Sequence, residues 1–250
     1  MRNSDRVRND SDRDSRQVVH EEPLRTLGTW FELLGADWWN RATTLAEKLV
    51  GDRVYPPADL VFQAFREVAP GDVSVIILGQ DPYHSPGKAR GVAFGYHPDY
   101  AGSVNSSMMN IVVELSREFP DRELAPPREW YTLRHLTDQG VLLLNTRLTV
   151  EHEKPMSHAG EGWEELIAEA LQKIYARYQP VMLCWGSEAQ KMANRVPNIF
   201  RRVDTSHPCR YSANRGKQPF LGSDCFLAVN GQLVEGGDEP INWTGDVQRE

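Results

Sequence analysis

Three stretches of the chain are apolar almost without interruption: Val73-Ser74-Val75-Ile76-Ile77-Leu78, Val141-Leu142-Leu143-Leu144-Asn145-Thr146 and Val181-Met182-Leu183-Cys184-Trp185-Gly186. Short runs with no polar face are the pattern of strands covered on both sides, as in a parallel sheet. A fourth run, 200–206, is more polar and predicts a strand at a sheet edge. Between them the period changes to that of helices. Leu27, Trp30, Phe31 and Leu34, then Leu45 and Leu49, predict two helices broken near Gly35, with Trp38 and Trp39 as core residues. Residues 59–68 predict a short amphipathic helix. Residues 108–118 predict a further one with Ser107 as N-cap, and another runs from about 163 to Tyr178. Ser187-Glu188-Ala189-Gln190 has capping-box character, which makes Ser187 a cap and not a nucleophile. Residues 220–234 supply a last element, and Trp243 docks the C-terminal segment. The fold class that follows is α/β: a single domain with a central four-stranded, mostly parallel sheet flanked by helices.

This arrangement has a geometric consequence. Asp81, Asn145, Ser187 and His207 each come just after a predicted strand, so they line one edge of one sheet, where open α/β sheets bind ligands. The densest such loop is Gly79-Gln80-Asp81-Pro82-Tyr83-His84. An isolated Asp-Pro is an ordinary turn with a polar cap. The other strand ends give this one more meaning. Asp81 brings a carboxylate, Tyr83 a phenol, Phe94 an aromatic face, Asn145 an amide and His207 an imidazole. An aromatic face stacks a planar base, and a side-chain amide reads the donor and acceptor atoms on the base's edge.

Composition narrows the choices. The 250 residues are 40% hydrophobic and 25% charged, as expected of a water-soluble globular domain. No apolar run reaches the ~18 residues of a membrane span. Cys184, Cys209 and Cys225 form no CxxC pair, which suits free thiols in a reducing compartment and predicts a cytoplasmic protein, or a nuclear one in a eukaryotic or viral setting. The formal net charge of −7 argues against a polyanion partner until its distribution is considered. Residues 201–217 hold Arg201, Arg202, Arg210, Arg215 and Lys217 against Asp204 alone, and residues 84–98 hold Lys88 and Arg90 with no acid. An acidic body with a basic mouth is the expectation. Residues 1–22 alternate Arg, Asp, Asn and Ser and predict a disordered tail, leaving 23–250 as the folded domain. The chain lacks GxxxxGK(S/T), GxGxxG and GxSxG, so nucleotide hydrolysis, dinucleotide redox chemistry and α/β-hydrolase chemistry lose their usual markers.

The residues of the opening loop, the segment Pro86 to Phe94, Gly140 to Asn145, Ser157-His158 with Gly162-Trp163-Glu164, and His207-Pro208 together resemble family-1 uracil-DNA glycosylases. The match spans roughly residues 53–243 and keeps motif order, including Tyr55-Pro56-Pro57. The resemblance implies hydrolysis of the N-glycosidic bond of deoxyuridine in single- and double-stranded DNA, with the base flipped into a pocket. It implies no metal and no cofactor. By carry-over, Asp81 handles the attacking water and stabilises the cationic sugar, while His207 donates a hydrogen bond to the departing base. Asn145 reads the uracil edge, Phe94 stacks on the ring, Tyr83 blocks the position of a thymine methyl, and Gln80, Pro82 and His84 support the pocket. Ser107, Arg210, Tyr211 and Ser212 meet DNA. Expected partners extend to a uracil-glycosylase inhibitor protein and replication proteins, with no membrane, and the enzyme is expected to act as a monomer.

Two motifs depart from the family pattern. The usual His-Pro-Ser-Pro-Leu-Ser reads His207-Pro208-Cys209-Arg210-Tyr211-Ser212, which puts a tyrosine where a leucine wedges into the duplex. The usual Pro-Pro-Ser-Leu reads Asn105-Ser106-Ser107-Met108, in a loop about two residues longer. A non-catalytic DNA- or partner-binding member is the competing class. Retention of Asp81, Asn145 and His207 together speaks against it. A glycosylase of shifted base preference conflicts with Tyr83 and Asn145, and a sugar hydrolase with paired carboxylates finds only Asp81 at a strand end.

Overall fold

A computed structural model of the chain describes residues 27–123 and 128–246. The expected tail over 1–22 lies outside the described residues. In chain order the elements are helices α1 (Gly28–Leu34) and α2 (Ala36–Leu49), strand β1 (Val54–Tyr55), α3 (Gln63–Glu67), β2 (Val75–Gly79), α4 (Ser106–Glu118), α5 (Arg134–Thr137), β3 (Val141–Asn145), β4 (Val150–Glu151), α6 (Trp163–Tyr178), β5 (Val181–Trp185), α7 (Ser187–Ala193), β6 (Arg202–Thr205) and α8 (Cys225–Glu235). Single 3-10 turns at Ala58–Leu60, Pro70–Asp72 and Arg128–Thr132 shape the connections.

Among the described residues, four strands form one sheet in the order β3-β2-β5-β6, and every pairing in it is parallel. The expectation of a mostly parallel sheet is therefore met in full. β2, β3 and β5 are buried at every position, whereas β6 is half-buried and lies at the edge. Side chains alternate between two cores, as the two-residue period of a strand requires. Ile76, Leu78, Leu142, Leu144, Met182 and Cys184 join Trp30, Trp38, Trp39, Phe65 and Trp163 on one face. Val75, Ile77, Val141, Leu143, Val181 and Leu183 join Met108, Phe220, Phe226 and Trp243 on the other. The small antiparallel pair β1–β4 was not expected; two-residue strands leave no periodic signal.

Two caps differ from expectation. The N-cap of α4 is Asn105, whose side chain accepts from the Met108 amide at 3.0 Å, and Ser107 lies inside the first turn. With Asn105, Ser106 and Ser107 in a row, any of the three has cap chemistry, and the longer-reaching amide oxygen takes the position. α7 is preceded by Gly186, and Ser187 is its first helical residue with no side-chain capping bond. The predicted helix over 59–68 divides into the 3-10 turn at Ala58–Leu60 and α3.

Candidate active site

β2, β3, β5 and β6 end at Gly79, Asn145, Trp185 and Thr205, and the loops that follow leave the same edge of the sheet. Gly79 pairs in register with Asn145. A Cβ on Gly79 would fall 2.2 Å from Asn145 Oδ1 and 2.9 Å from the Ala93 Cβ, so only glycine admits the amide here. Gly186, just past β5, has φ 90° and would meet the His207 Cβ at 2.8 Å. The strand-ending glycines thus make room for the two side chains that follow β3 and β6. Between them opens a cavity of about 580 Å3 lined by Gln80, Asp81, Pro82, Tyr83, His84, Phe94, Asn145, His207 and, at the rim, Ser107, Cys209 and Tyr211.

The floor of the cavity is aromatic. Phe94 sits in the left-handed region at φ 62°, where a residue other than glycine carries strain of the sort found at ligand sites. Its ring stands edge-on to Trp185 at 5.1 Å and lies against His207 at 5.9 Å. The Tyr83 hydroxyl donates to the Phe94 carbonyl at 2.9 Å, which ties the phenol to the Phe94 backbone. Burial pushes the Tyr83 pKa well up, so this donor stays protonated. The Lys88 ammonium lies over the Tyr83 ring at 4.3 Å and the Tyr96 ring at 4.9 Å.

His207 has a defined tautomer. The Cys209 backbone N–H donates to its Nδ1 at 3.1 Å, so in the neutral ring the proton rides on Nε2. Burial lowers the His207 pKa from the ordinary 6.5, which favours that neutral form. The Asp81 carboxylate accepts from Gln80 Nε2 at 3.0 Å and from the Met156 amide at 2.7 Å through Oδ2, and from Arg147 Nη1 at 3.0 Å through Oδ1. The loop is stitched to the β3 end as well: Thr146 N donates to Gly79 O and Arg147 N to Gln80 O. A neutral imidazole donor and an anchored carboxylate lining one cavity with an aromatic ring suit the breaking of a polar bond. One stabilises charge on a departing planar group, the other the cation left behind.

The rim holds the residues expected at a phosphate backbone. Ser107 is buried in the first turn of α4, and the neighbouring Ser106 hydroxyl accepts from the Arg210 amide at 3.2 Å. Ser212 donates to the His207 carbonyl at 2.9 Å and lies 3.1 Å from the Cys209 sulfur, so it braces the imidazole-bearing turn. Tyr211 is 65% exposed, and the Arg210 guanidinium stacks on its ring at 4.6 Å. The basic mouth is smaller than the charge windows predict. Arg90 is buried against Glu67 with a bidentate pair at 2.5 and 2.7 Å. Arg201 pairs with Asp238 and Arg202 with Asp204. That leaves Arg210, Arg215 and Lys217 exposed along the loop after His207.

Several supporting residues escaped the sequence. Arg147, with a side chain 5% exposed, touches Asp81; its only sequence signal is a lone cation two residues past the end of a strand. The Met156 amide and Trp185 serve through backbone and packing, which leave none. His158 proves structural, its Nδ1 meeting the Thr149 hydroxyl at 2.8 Å beside Trp163. Among the described residues, no group of three or more His, Cys, Asp or Glu is placed to hold a metal ion.

Known proteins resemble the whole arrangement. A family model described as the uracil DNA glycosylase superfamily matches residues 65–234. A uracil-DNA glycosylase of Vibrio campbellii is 38% identical over 228 residues, covering 88% of this chain and 97% of the relative. One of Escherichia coli O81 is 39% identical over 223 residues, covering 86% and 94%. Among solved structures, mimivirus uracil-DNA glycosylase has a TM-score of 0.72 at 24% identity, covering 92% of this chain and 89% of its own, which speaks to the fold. A tyrosine variant of the mimivirus enzyme in complex with UGI has a TM-score of 0.72 at 25% identity, covering 86% and 88%.

Proposed function

The chain belongs to the uracil-DNA glycosylase family, and from that premise we propose which of its residues perform each part of uracil release. The enzyme hydrolyses the N-glycosidic bond of deoxyuridine in DNA, releasing free uracil and leaving an abasic site. One observation carries the assignment of roles: the Phe94 ring, the Asn145 amide, the His207 imidazole and the Asp81 carboxylate converge on one cavity at the carboxyl edge of a parallel sheet. The cavity excludes a stacked duplex base, so the nucleotide enters flipped.

In this account Phe94 stacks on the uracil ring, Asn145 reads its carbonyl–NH edge against the amino–N edge of cytosine, and the Tyr83 ring fills the place of a C5 methyl. As the C1′–N1 bond breaks, its electron pair moves into the base, and the Nε2–H of His207 donates to the oxygen where that charge collects. Such a preorganised donor is typically worth about 10²–10³ in rate. The sugar gains positive charge beside Asp81, whose anchored carboxylate stabilises it and orients the water that adds to C1′. The proton that water loses balances the uracil anion, which is released as neutral uracil. Gln80, Pro82 and His84 hold the loop. Ser107, Arg210 and Ser212 grip the backbone, and Tyr211 fills or stacks in the space the base leaves.

We further propose one catalytic domain over 23–250 preceded by a tail over 1–22, acting as a monomer on single- and double-stranded DNA. The complex of the mimivirus relative with UGI supports an inhibitor protein as a further partner. Replication proteins are a further proposed partner class. The free thiols of Cys184, Cys209 and Cys225 support a reducing, cytoplasmic setting, or a nuclear one. The test is uracil release from single- and double-stranded oligonucleotides. Asp81→Asn is expected to slow release by about 10³-fold, the scale of losing charge stabilisation in a transition state, while circular dichroism is unchanged. Near-normal release by that variant would overturn the role of Asp81.

A further inference from the structure

Arg147 is a buried cation placed among three acids at the back of the site. Its Nη1 is 3.0 Å from Asp81 Oδ1, its Nε 2.6 Å from Glu164 Oε1 and its Nη2 3.9 Å from Glu188 Oε2. Its side chain is 5% exposed and that of Asp81 6%. Burial opposes the guanidinium's charge, but the hydrogen bonds and charges of Asp81 and Glu164 outweigh it and raise the Arg147 pKa. A cation touching a carboxylate that must stabilise a developing cation looks counterproductive, since its field cancels part of the carboxylate's own. Glu164 resolves this. It meets Arg147 on the side away from Asp81 and neutralises it, so the group keeps the negative charge of Asp81 while the guanidinium still holds Asp81 in place.

The geometry points to Arg147, charge-compensated by Glu164, as a positioning residue that fixes the Asp81 carboxylate for catalysis. The inference rests on Asp81 being the catalytic carboxylate. Both Asp81 oxygens are held, but unequally. Among the described residues, Oδ2 takes the Met156 amide and the Gln80 amide, whereas Oδ1 has Arg147 as its one donor. Oδ1 therefore keeps a lone pair open for water, in a direction set by the planar guanidinium. Lysine in place of Arg147 would supply a point charge with no fixed fork, so it cannot bridge Asp81 and Glu164 in one plane. Misplacement of a reacting group by about 1 Å costs on the order of 10²-fold in rate.

The experiment compares single-turnover uracil release and DNA affinity for four proteins beside the wild type: Arg147→Lys, Arg147→Met/Glu164→Gln, Asp81→Asn, and Asp81→Asn carrying Arg147→Lys. The second removes Arg147 and Glu164 together, so the summed charge of the group stays that of Asp81 alone. Both Arg147 variants are expected to lose about 10- to 100-fold in the release step, with DNA affinity within about twofold, the scale set by misplacement of the reacting group. In the Asp81→Asn background, Arg147→Lys is expected to change the residual rate by less than about threefold, because a residue acting through Asp81 has nothing left to position. An equal loss in both backgrounds, a loss confined to DNA affinity, wild-type rates in the folded variants, or failure of both Arg147 variants to fold would each overturn the positioning role. Full activity of Asp81→Asn alone would instead overturn the reading beneath it.

Discussion

At the scale of single residues, the sharpest device is the turn that carries His207. A histidine titrating at its ordinary 6.5 is divided between two charge states near neutrality, and a neutral one between two tautomers. Here the Cys209 amide occupies Nδ1, and burial lowers the pKa. Both effects select one species, neutral with its proton on Nε2. Protonation would place two N–H groups head to head at Nδ1. The sign follows: at pH 6.5, where an ordinary histidine is half charged, this ring is mostly neutral, and its protonation is shifted to lower pH. Nitrogen NMR of ¹⁵N-histidine-labelled protein is expected to show the Nε2–H tautomer of His207 at pH 7 and still at pH 6.5. A cationic signal at pH 6.5, or the Nδ1–H tautomer, would contradict the hydrogen bond that the Cys209 amide makes.

At the scale of elements, the two rim loops depend on a joint far from the cavity. Glu114 on α4 has a side chain 1% exposed, yet it accepts from the amides of Gly222, Ser223 and Asp224 at 2.7, 2.9 and 3.3 Å, just ahead of α8. One helical turn on, Glu118 accepts from the Phe226 and Leu227 amides. Carboxylates from one helix thus satisfy the free N–H groups at the start of another. α4 carries Ser106 and Ser107 at its head, and the chain entering α8 carries Arg210, Tyr211 and Ser212, so the joint sets the spacing of the rim. Burial alone would raise the Glu114 pKa, but Arg117 and the amides outweigh it and hold it below 4.5. A lowered carboxyl pKa contributes stability that is present above 4.5 and is lost as pH falls below it. Glu114→Gln is expected to lose about 2 kcal/mol in urea unfolding at pH 7, the scale of charged hydrogen bonds to buried donors. The difference from wild type should shrink as pH falls below 4.5. A loss under about 0.5 kcal/mol at pH 7, on the same scale, would mean the amides find other partners.

The same joint marks where the sequence stops being informative. Strand runs are legible because burial on both faces leaves no polar residue inside them, and a strand end is legible as the place where Asp81, Asn145 and His207 begin. Glu114 and Glu118 occupy positions that any solvated helix face would offer, so their burial is invisible until α8 is packed against them. Arg147 poses the same problem, since its partners Asp81 and Glu164 lie 66 and 17 residues away along the chain. Cap register is lost for a different reason. Asn105, Ser106 and Ser107 all carry the needed oxygen, and only the path of the preceding loop decides among them.

At the scale of the whole molecule, the question is how a chain of formal charge −7 engages a polyanion. Counting cations by window overstates the attraction, because Arg90, Arg201 and Arg202 are spent on Glu67, Asp238 and Asp204. The Lys88 ammonium rests on tyrosine rings, and burial lowers its pKa. What remains exposed of those two windows is Arg210, Arg215 and Lys217, all on one loop. Each phosphate neutralised on a single strand releases counter-ions, with a slope of about −0.7 in log K against log salt. Three such contacts predict a slope of about −2. Fluorescence anisotropy with a uracil-free single strand, from low to physiological salt, reads this directly. A flat line would remove phosphate contacts from the binding mode. A slope of about −5 or steeper on that scale would mean that more than the rim loop meets the backbone. A shallow slope has a functional meaning: weak ionic attraction leaves recognition to the aromatic slot and the Asn145 amide, so affinity should rise sharply only when a base that fits has entered the cavity.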